Sequence, residues 1–160
     1  IINGDKTAPE TADIVYDLAC DIHRYPVRLK AEVPGFLVNR FQSAVLREAM
    51  SLVEAGVAQK EDIDKVFKYG LGLRYACLGP FEIADLGGLD TFYNIASYLF
   101  ADISDKKDVH EMLEQLYRKG DFGVKTGKGF YDYSGGRDRE VIEKRDKDFM
   151  KVAKCLYEEE

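Results

Sequence analysis

The feature that most restricts the fold of this chain is the helical spacing of its apolar residues. In most segments they recur every three or four residues, which is the period of one face of an α-helix. The first such series is Ala12, Val15, Ala19 and Ile22. No two segments show the alternating pattern of paired strands. The sequence therefore predicts an all-α domain of six or so helices with short connections.

Capping residues and glycines predict where these helices begin and end. The first helix is expected to begin with a capping box formed by Thr7 and Glu10. Ser104 is expected to cap the fifth helix. Residues 71–80 and 121–136 are predicted to be loops, and 81–103 a helix broken at its central Gly-Gly pair. The predicted helices cover about 7–23, 35–55, 59–70, 81–103, 104–120 and 137–160.

Composition excludes several classes of protein. The chain is 46% apolar and 32% charged, which is typical of a globular domain. Its net charge of −6 argues against non-specific binding of nucleic acid, and no apolar run approaches a membrane span. Because the sequence begins with Ile1, we expect it to be a piece of a longer protein. Its cysteines (Cys20, Cys77 and Cys155) show no CxxC spacing, which predicts free thiols, a cytoplasmic location and no metal site.

The sequence contains no self-sufficient catalytic site. The segments "GLGLRY" and "GKGFYD" carry Tyr75 and Asp132 where a dinucleotide-binding GxGxxG needs its third glycine, and neither follows a strand. His23 lies at a predicted helix end and His110 inside a charged helix, so both are interpreted as ordinary surface or capping residues. The acidic pairs are interpreted as helix-start charges; they are Glu61/Asp62 and Glu82/Asp85.

Asn39 is the exception in the apolar segment "EVPGFLVNRF". At about 100° per helical residue, Asn39 lies within about 20° of Leu46 and Met50, whereas Arg40 lies on the polar face. Asn39 is thus expected on the buried side, where an unpaired amide costs on the order of 1–3 kcal/mol. From geometry alone, two interpretations stay open. The amide bonds to a neighbouring loop, or it meets a ligand or catalytic group at the edge of an apolar cleft.

Three segments together resemble a known family. They are "VPGFLVNR" (33–40), "EDIDKVFKYGLGLRYACLGPFEIADLGGLDT" (61–91) and "KTGKGFYDY" (125–133). In order and spacing they are similar to the C-terminal helical domain of the L-3-hydroxyacyl-CoA dehydrogenases, which include 3-hydroxybutyryl-CoA dehydrogenases. The resemblance implies an all-α, dimer-forming, multi-helix bundle of the 6-phosphogluconate-dehydrogenase C-terminal-domain type. Residues 1–133 would form this domain, and 134–160 a charged amphipathic helix packed on it or on a partner.

The resemblance also implies a function. Members oxidise 3-hydroxyacyl-CoA to 3-ketoacyl-CoA in fatty-acid and butyrate metabolism. Their N-terminal Rossmann domain binds NAD and supplies a catalytic His–Glu pair, and that domain is absent from these residues. We therefore expect no cofactor in this fragment and no activity without the missing domain. The expected partners are that domain, the acyl-CoA substrate and a second copy of the chain, with no nucleic acid and no membrane.

The resemblance assigns site residues to this sequence by their positions in the shared motifs. Asn39 matches the asparagine that orients the substrate or the catalytic histidine of the missing domain. The family segment that borders the acyl chain corresponds to Tyr75, Ala76, Cys77 and Leu78. Other matching residues are expected to fix the fold; they are Arg40, Glu82, Asp85, Phe130 and Tyr131. Two alternatives stay open, which are a related dehydrogenase of small sugar acids such as gulonate and a purely structural, oligomerising helical module.

Overall fold

The computed structural model describes residues 1–157, and these contain helices but no strands, which confirms the all-α prediction. A π-helical turn and a 3₁₀ turn accompany the α-helices, at Val66–Leu71 and Val124–Thr126. None of the described helices is long and apolar enough to cross a membrane. The α-helices are α1 Pro9–Asp21, α2 Val38–Glu54, α3 Lys60–Lys65, α4 Gly72–Cys77, α5 Pro80–Gly87, α6 Leu89–Asp102, α7 Glu111–Lys119 and α8 Arg137–Leu156.

The chain divides into two compact units, Ile1–Ala44 and Val45–Glu160. In the first unit, α1 begins differently from the prediction. Its N-cap position is Ala8 and Pro9 occupies the first turn, where a missing N–H costs nothing. The hydroxyl of Thr7 instead accepts a hydrogen bond from the Gly4 amide at 3.1 Å. The predicted capping box is therefore wrong.

The connector after α1 folds back along that helix. Arg28 pairs with Asp13 at 2.5 Å, and its guanidinium lies 4.5 Å from the ring centroid of Tyr16. The Leu29 amide donates to the carbonyl of Ile1 at 2.9 Å. These contacts fix residues 27–29 against the beginning of the chain, upstream of α2.

In the second unit, Gly56 ends α2 as predicted. It has φ +73°, and its amide donates to Val53 while the Val57 amide donates to Leu52, both at 3.0 Å. This is the paired hydrogen-bond pattern of a left-handed helix C-terminus, for which glycine is preferred. The predicted break at Gly88, which has φ +91°, is confirmed as well.

The prediction of a helix end at Gly70 and a loop over 71–80 is wrong. Gly70 does not adopt a left-handed conformation, so the chain continues from α3 through the π-turn into α4. A Cβ atom on Gly72 would lie 2.7 Å from the carbonyl oxygen of Phe67. The glycine at position 72 is thus required by the close backbone approach inside the π-turn, not by a loop.

The fifth predicted helix begins later than expected. Residues 103–110 are not helical, and α7 begins at Glu111, so Ser104 does not cap it. The Ser104 amide donates instead to a carboxylate oxygen of Glu48 in α2, at 2.7 Å. At its other end α7 stops at Gly120, which has φ +76°, as predicted.

Residues 121–136 form the predicted loop, and α8 follows it. A Cβ atom on Gly129 would lie 2.6 Å from the Cα of Gly123, so two glycines let the loop close on itself. Phe130 and Tyr131 are half-buried, in agreement with their expected packing. The Tyr157 hydroxyl, just beyond α8, donates to the carbonyl of Ala76.

Candidate functional site

Asn39 is the second residue of α2, directly after a tight turn. The amide of Phe36 donates to the carbonyl of Val33 at 2.9 Å, which closes the turn around Pro34 and Gly35. Gly35 has φ +81°, and Pro-Gly is the residue pair that such a turn favours. This turn delays the start of α2 to Val38, so the predicted start at residue 35 is wrong.

Arg40 holds the turn from the helix side. Its Nη1 donates to the carbonyl of Pro34 at 3.3 Å, in agreement with its expected role in fixing the fold. A Cβ atom on Gly35 would lie 3.6 Å from the Cβ of Asn39 and 3.5 Å from the Cγ of Arg40. The turn therefore packs against the stems of both side chains, and Asn39 projects from a braced helix start.

The side chain of Asn39 is exposed, so the expectation that it is buried is wrong for this chain. The helical wheel placed it correctly relative to its apolar neighbours. However, the apolar side chains nearest to it along α2 are exposed too, Val38 by 75% and Phe41 by 65%, and burial begins only further along the helix, at Met50. Within residues 1–157 the Asn39 amide makes no hydrogen bond. Because the amide is in contact with solvent it has no desolvation penalty, and both its NH₂ group and its carbonyl oxygen are available to a ligand.

The second candidate segment, residues 75–78, belongs to the second unit and covers the end of α4. Tyr75 is 53% exposed and Cys77 is exposed, while Ala76 and Leu78 are half-buried. The Leu78 amide closes the helix by donating to the carbonyl of Arg74 at 2.8 Å. Tyr75 and Cys77 are thus the two side chains of this segment that are open to a ligand.

Glu82 fixes the chain just after this segment. Its carboxylate accepts a hydrogen bond from the Gly79 amide at 2.6 Å, at the start of α5. This is the helix-start role predicted for the Glu82/Asp85 pair, confirmed for Glu82 alone, because Asp85 lies beyond the first turn of α5. Asp85 contributes a backbone carbonyl, which accepts the Gly88 amide at 3.3 Å.

A His–Glu pair that the sequence did not predict lies in the second unit. Nδ1 of His110 and a carboxylate oxygen of Glu54 are 2.7 Å apart, and the other carboxylate oxygen accepts the Met112 amide at 3.1 Å. The hydrogen bond from His110 is the main cause that lowers the pKa of Glu54, followed by the bond from Met112. His110 is 3% exposed, so its interpretation as a surface residue inside a helix is wrong; it occupies the N-cap position of α7, without a capping bond from its own side chain.

This pair has the composition of an acid/base dyad but not the access that one needs. Nε2 of His110 is buried and has no hydrogen-bond partner in the described residues. A catalytic base must come within hydrogen-bond reach of the proton that it removes. The pair is therefore structural, and it joins the end of α2 to the beginning of α7.

Each of the two units also contains a cavity. The first, of about 810 Å³, lies between α1 and residues 28–32 in the first unit. The second, of about 100 Å³, lies in the second unit between α2, α3, α7 and the loop that carries Phe130. At the second cavity the Tyr131 hydroxyl donates to Asp64 at 2.8 Å, and burial followed by this bond raises the pKa of Tyr131. Asn39 and residues 75–78 line neither cavity.

Comparison with known sequences places the chain in a family. The profile of the 3-hydroxyacyl-CoA dehydrogenase C-terminal domain matches residues 35–133. This chain belongs to that family. The match begins at Gly35, inside the turn that braces Asn39, and ends at Tyr133, inside the glycine-rich loop.

Two relatives with assigned names are similar over most of this chain. One is the 5-formyl-3-hydroxy-2-methylpyridine 4-carboxylate 5-dehydrogenase of Mesorhizobium japonicum, 37% identical over 98% of this chain and 50% of its own length. The other is a 3-hydroxybutyryl-CoA dehydrogenase of Clostridioides difficile, 38% identical over 84% of this chain and 47% of its own length. The chain thus spans about half the length of the curated relatives it matches.

Two solved structures agree with this assignment. A crystal structure of an NAD⁺-dependent 5-formyl-3-hydroxy-2-methylpyridine 4-carboxylic acid 5-dehydrogenase matches 99% of this chain and 52% of its own, at 37% identity and a TM-score of 0.94. A 3-hydroxyacyl-CoA dehydrogenase of Archaeoglobus fulgidus matches 97% of this chain and 52% of its own, at 34% identity and a TM-score of 0.56. Both sequence relatives and both structures carry the names of dehydrogenases.

Proposed function

We propose that this chain is the substrate-binding, dimer-forming C-terminal domain of an NAD-dependent 3-hydroxyacyl-CoA dehydrogenase. The observation that carries the proposal is the Asn39 amide, which is exposed and unpaired within residues 1–157 and projects from a helix start that the Arg40-braced turn holds. Groups positioned on rigid elements keep the orientation that catalysis needs. An amide that serves only the fold of this chain would not need such a position.

The chemistry of an amide suits the proposed role. When an alcohol is oxidised to a ketone, its oxygen must be oriented while a base removes its proton. The NH₂ group of Asn39 can donate to that oxygen, or its carbonyl can accept from an imidazole N–H. Because the amide does not titrate, it holds either partner over a wide pH range. Asn39 would orient the reacting groups, and a His–Glu pair of the preceding domain would transfer the proton.

NAD belongs to the preceding domain in this proposal. The residues described here offer no strand followed by a glycine-rich turn and a helix, which is the site that a dinucleotide pyrophosphate needs. Oxidation of the substrate carbon is therefore assigned to the two domains together. The 160-residue chain by itself is expected to show no dehydrogenase activity.

The end of α4 is proposed as the wall that borders the acyl chain. Tyr75 and Cys77 present exposed side chains on opposite sides of α4, and Ala76 and Leu78 are half-buried. The hydrogen bond from Tyr157 to the carbonyl of Ala76 supports this surface from the C-terminal helix. Cys77 would serve there as a small apolar group.

Association of two copies is supported by the amount of apolar surface. Among residues 1–157 only Ala12, Met50 and His110 are buried, and many large apolar side chains are exposed. On α6 these include Phe92, Tyr93, Tyr98 and Phe100. An excess of exposed large apolar side chains is found on proteins that bind a partner. We expect a dimer in solution, which light scattering coupled to gel filtration measures directly.

The central experiment changes Asn39 to alanine in the full-length protein. We expect kcat/KM for 3-hydroxybutyryl-CoA with NAD to fall by about a hundredfold or more, since an orienting contact at the reacting atoms is lost. The matched control is Asn94→Ala, because Asn94 is an exposed asparagine on α6. An N39A enzyme as active as N94A would contradict the proposed role and favour the purely structural module.

A second substrate class is favoured by one observation. The pyridine carboxylate dehydrogenase matches nearly the whole chain with a TM-score of 0.94, whereas the Archaeoglobus dehydrogenase reaches 0.56. We therefore propose a compact ring carboxylate as the alternative substrate. NADH formation with 3-hydroxybutyryl-CoA, with 5-formyl-3-hydroxy-2-methylpyridine 4-carboxylate and with gulonate, compared by kcat/KM, separates the three possibilities. A preference of at least about tenfold would assign the class.

A further inference from the structure

Two residues other than glycine adopt a left-handed backbone within residues 1–157. They are His23, with φ +55°, and Phe36, with φ +48°. Glycine and asparagine accept this conformation readily, whereas bulky side chains are disfavoured there. A bulky residue held in this region needs a structural or a functional reason.

His23 has a structural reason. Its amide donates to the carbonyl of Cys20 at 2.9 Å, and the Arg24 amide donates to Ala19 at 2.8 Å. This pair of bonds ends α1, and the residue between them must be left-handed. The conformation of His23 therefore follows from the helix end, and its side chain is exposed.

Phe36 has no such reason within this chain. It precedes a helix instead of ending one, and its ring is 45% exposed, so burial of the ring does not explain why phenylalanine stands there. Asparagine or glycine would suit the backbone better. What phenylalanine adds at this position is a large flat apolar surface directed by an unusual backbone conformation.

The turn holds the backbone of Phe36 close to that of Asn39. The Phe36 amide donates to the carbonyl of Val33 at 2.9 Å, and Arg40, in the first turn of α2, donates to the carbonyl of Pro34 at 3.3 Å. The two side chains therefore leave the chain three residues apart, one from the braced turn and one from the helix that follows it. A ligand bound by the amide can meet the ring.

We propose that Phe36 is a specificity-determining residue whose ring packs on the carbon skeleton next to the hydroxyl-bearing carbon of the substrate. This inference rests on the proposed role of Asn39 and extends it. Asn39 would bind the substrate oxygen at the reacting carbon. Phe36 would favour substrates that carry an apolar or aromatic skeleton beside that carbon. An acyl chain and a pyridine ring share the chemistry that such a contact requires.

The test uses the full-length enzyme with Phe36→Gly and Phe36→Asn. Both variants suit a left-handed backbone and lack the ring, so we expect the Tm to be unchanged or higher while kcat/KM falls by about tenfold or more. Phe36→Tyr keeps the ring and should stay within about threefold of the wild type. In F36G the ratio of kcat/KM between four-carbon and six-carbon 3-hydroxyacyl-CoA should also change. The matched control is His23→Gly, which relaxes the other left-handed residue and should leave kcat/KM within about twofold.

Support requires lower activity without lower Tm in both F36G and F36N, and any other combination contradicts the inference. A lower Tm with unchanged kcat/KM would show that the ring packs on a neighbouring domain. If N39A loses activity and both Phe36 variants keep it, the inference fails while the proposed function stands. A wild-type enzyme that oxidises neither acyl-CoA nor the pyridine carboxylate would overturn the proposed function and the inference together.

Discussion

Replacing Glu54 with alanine should destabilise the second unit more than the loss of an ordinary surface ion pair would. Its carboxylate accepts the Met112 amide at the start of α7 and a hydrogen bond from the buried His110. A side-chain acceptor at a helix start contributes about 1 kcal/mol. A buried donor left without its partner costs about 1–3 kcal/mol. Lys106, 3.8 Å away and 39% exposed, adds little. We expect E54A to lower the free energy of unfolding by about 2–4 kcal/mol.

The identity of the donor makes this estimate specific. An ionised carboxylate only accepts hydrogen bonds, so the hydrogen shared with Glu54 lies on Nδ1 of His110. Removing the carboxylate leaves that N–H without an acceptor, on a His110 side chain that is only 4% exposed. Glu54→Gln keeps one acceptor oxygen for two donors and should therefore cost about half as much as E54A.

Urea unfolding followed by far-ultraviolet circular dichroism measures these differences. The matched control is Glu114→Ala, because Glu114 forms an exposed pair with Arg118 within α7 at 2.5 Å. Exposed pairs of this kind contribute about 0.5 kcal/mol or less. If E54A and E114A unfold at the same urea concentration, the Glu54–His110 pair does not join α2 to α7 energetically, and the reasoning is wrong.

Two further predictions follow from the same contacts and turns. Because the pKa of Glu54 is lowered from its ordinary 4.5, the stability that its ionised form contributes is fully present above pH 4.5 and is lost as the pH falls through the lowered value. Acid unfolding should therefore weaken the wild type more than E54Q, and parallel pH profiles would contradict this. Gly35→Ala places a methyl group at φ +81° and should cost about 1 kcal/mol of stability. Gly70→Ala, at a helical glycine with open space around its Cα, is the matched control and should raise the Tm, whereas equal Tm changes would refute the role of the turn.

The sequence predicted the helix ends where a glycine adopts a left-handed backbone. Gly56, Gly88 and Gly120 interrupt or end helices as expected, and all three have positive φ. Gly70 was predicted to do the same and does not, because its backbone stays helical through the π-turn. The residue type alone did not distinguish a glycine that ends a helix from one that lies inside a helical segment.

The candidate site was predictable only in part. The motif around Asn39 identified the residue, but the helical wheel treated its apolar arc as a core along the whole helix, and the first two turns of that arc are exposed in this chain. The Glu54–His110 contact joins residues 56 positions apart and leaves no local pattern in the sequence. Phe36 looked like an ordinary apolar residue, because its left-handed backbone is set by the Pro-Gly turn and by Arg40.

The π-turn at Val66–Leu71 makes the candidate acyl wall tolerant of a change in chain length. A π-turn holds one residue more than the α-helical turn that it replaces. Because the wide turn absorbs the extra residue, deleting one residue within it would restore an α-helix and leave the downstream residues at nearly the same angle around the helix axis. Tyr75 and Cys77 would then keep their directions. A one-residue length difference between relatives at this turn would thus leave the set of side chains at the end of α4 in place.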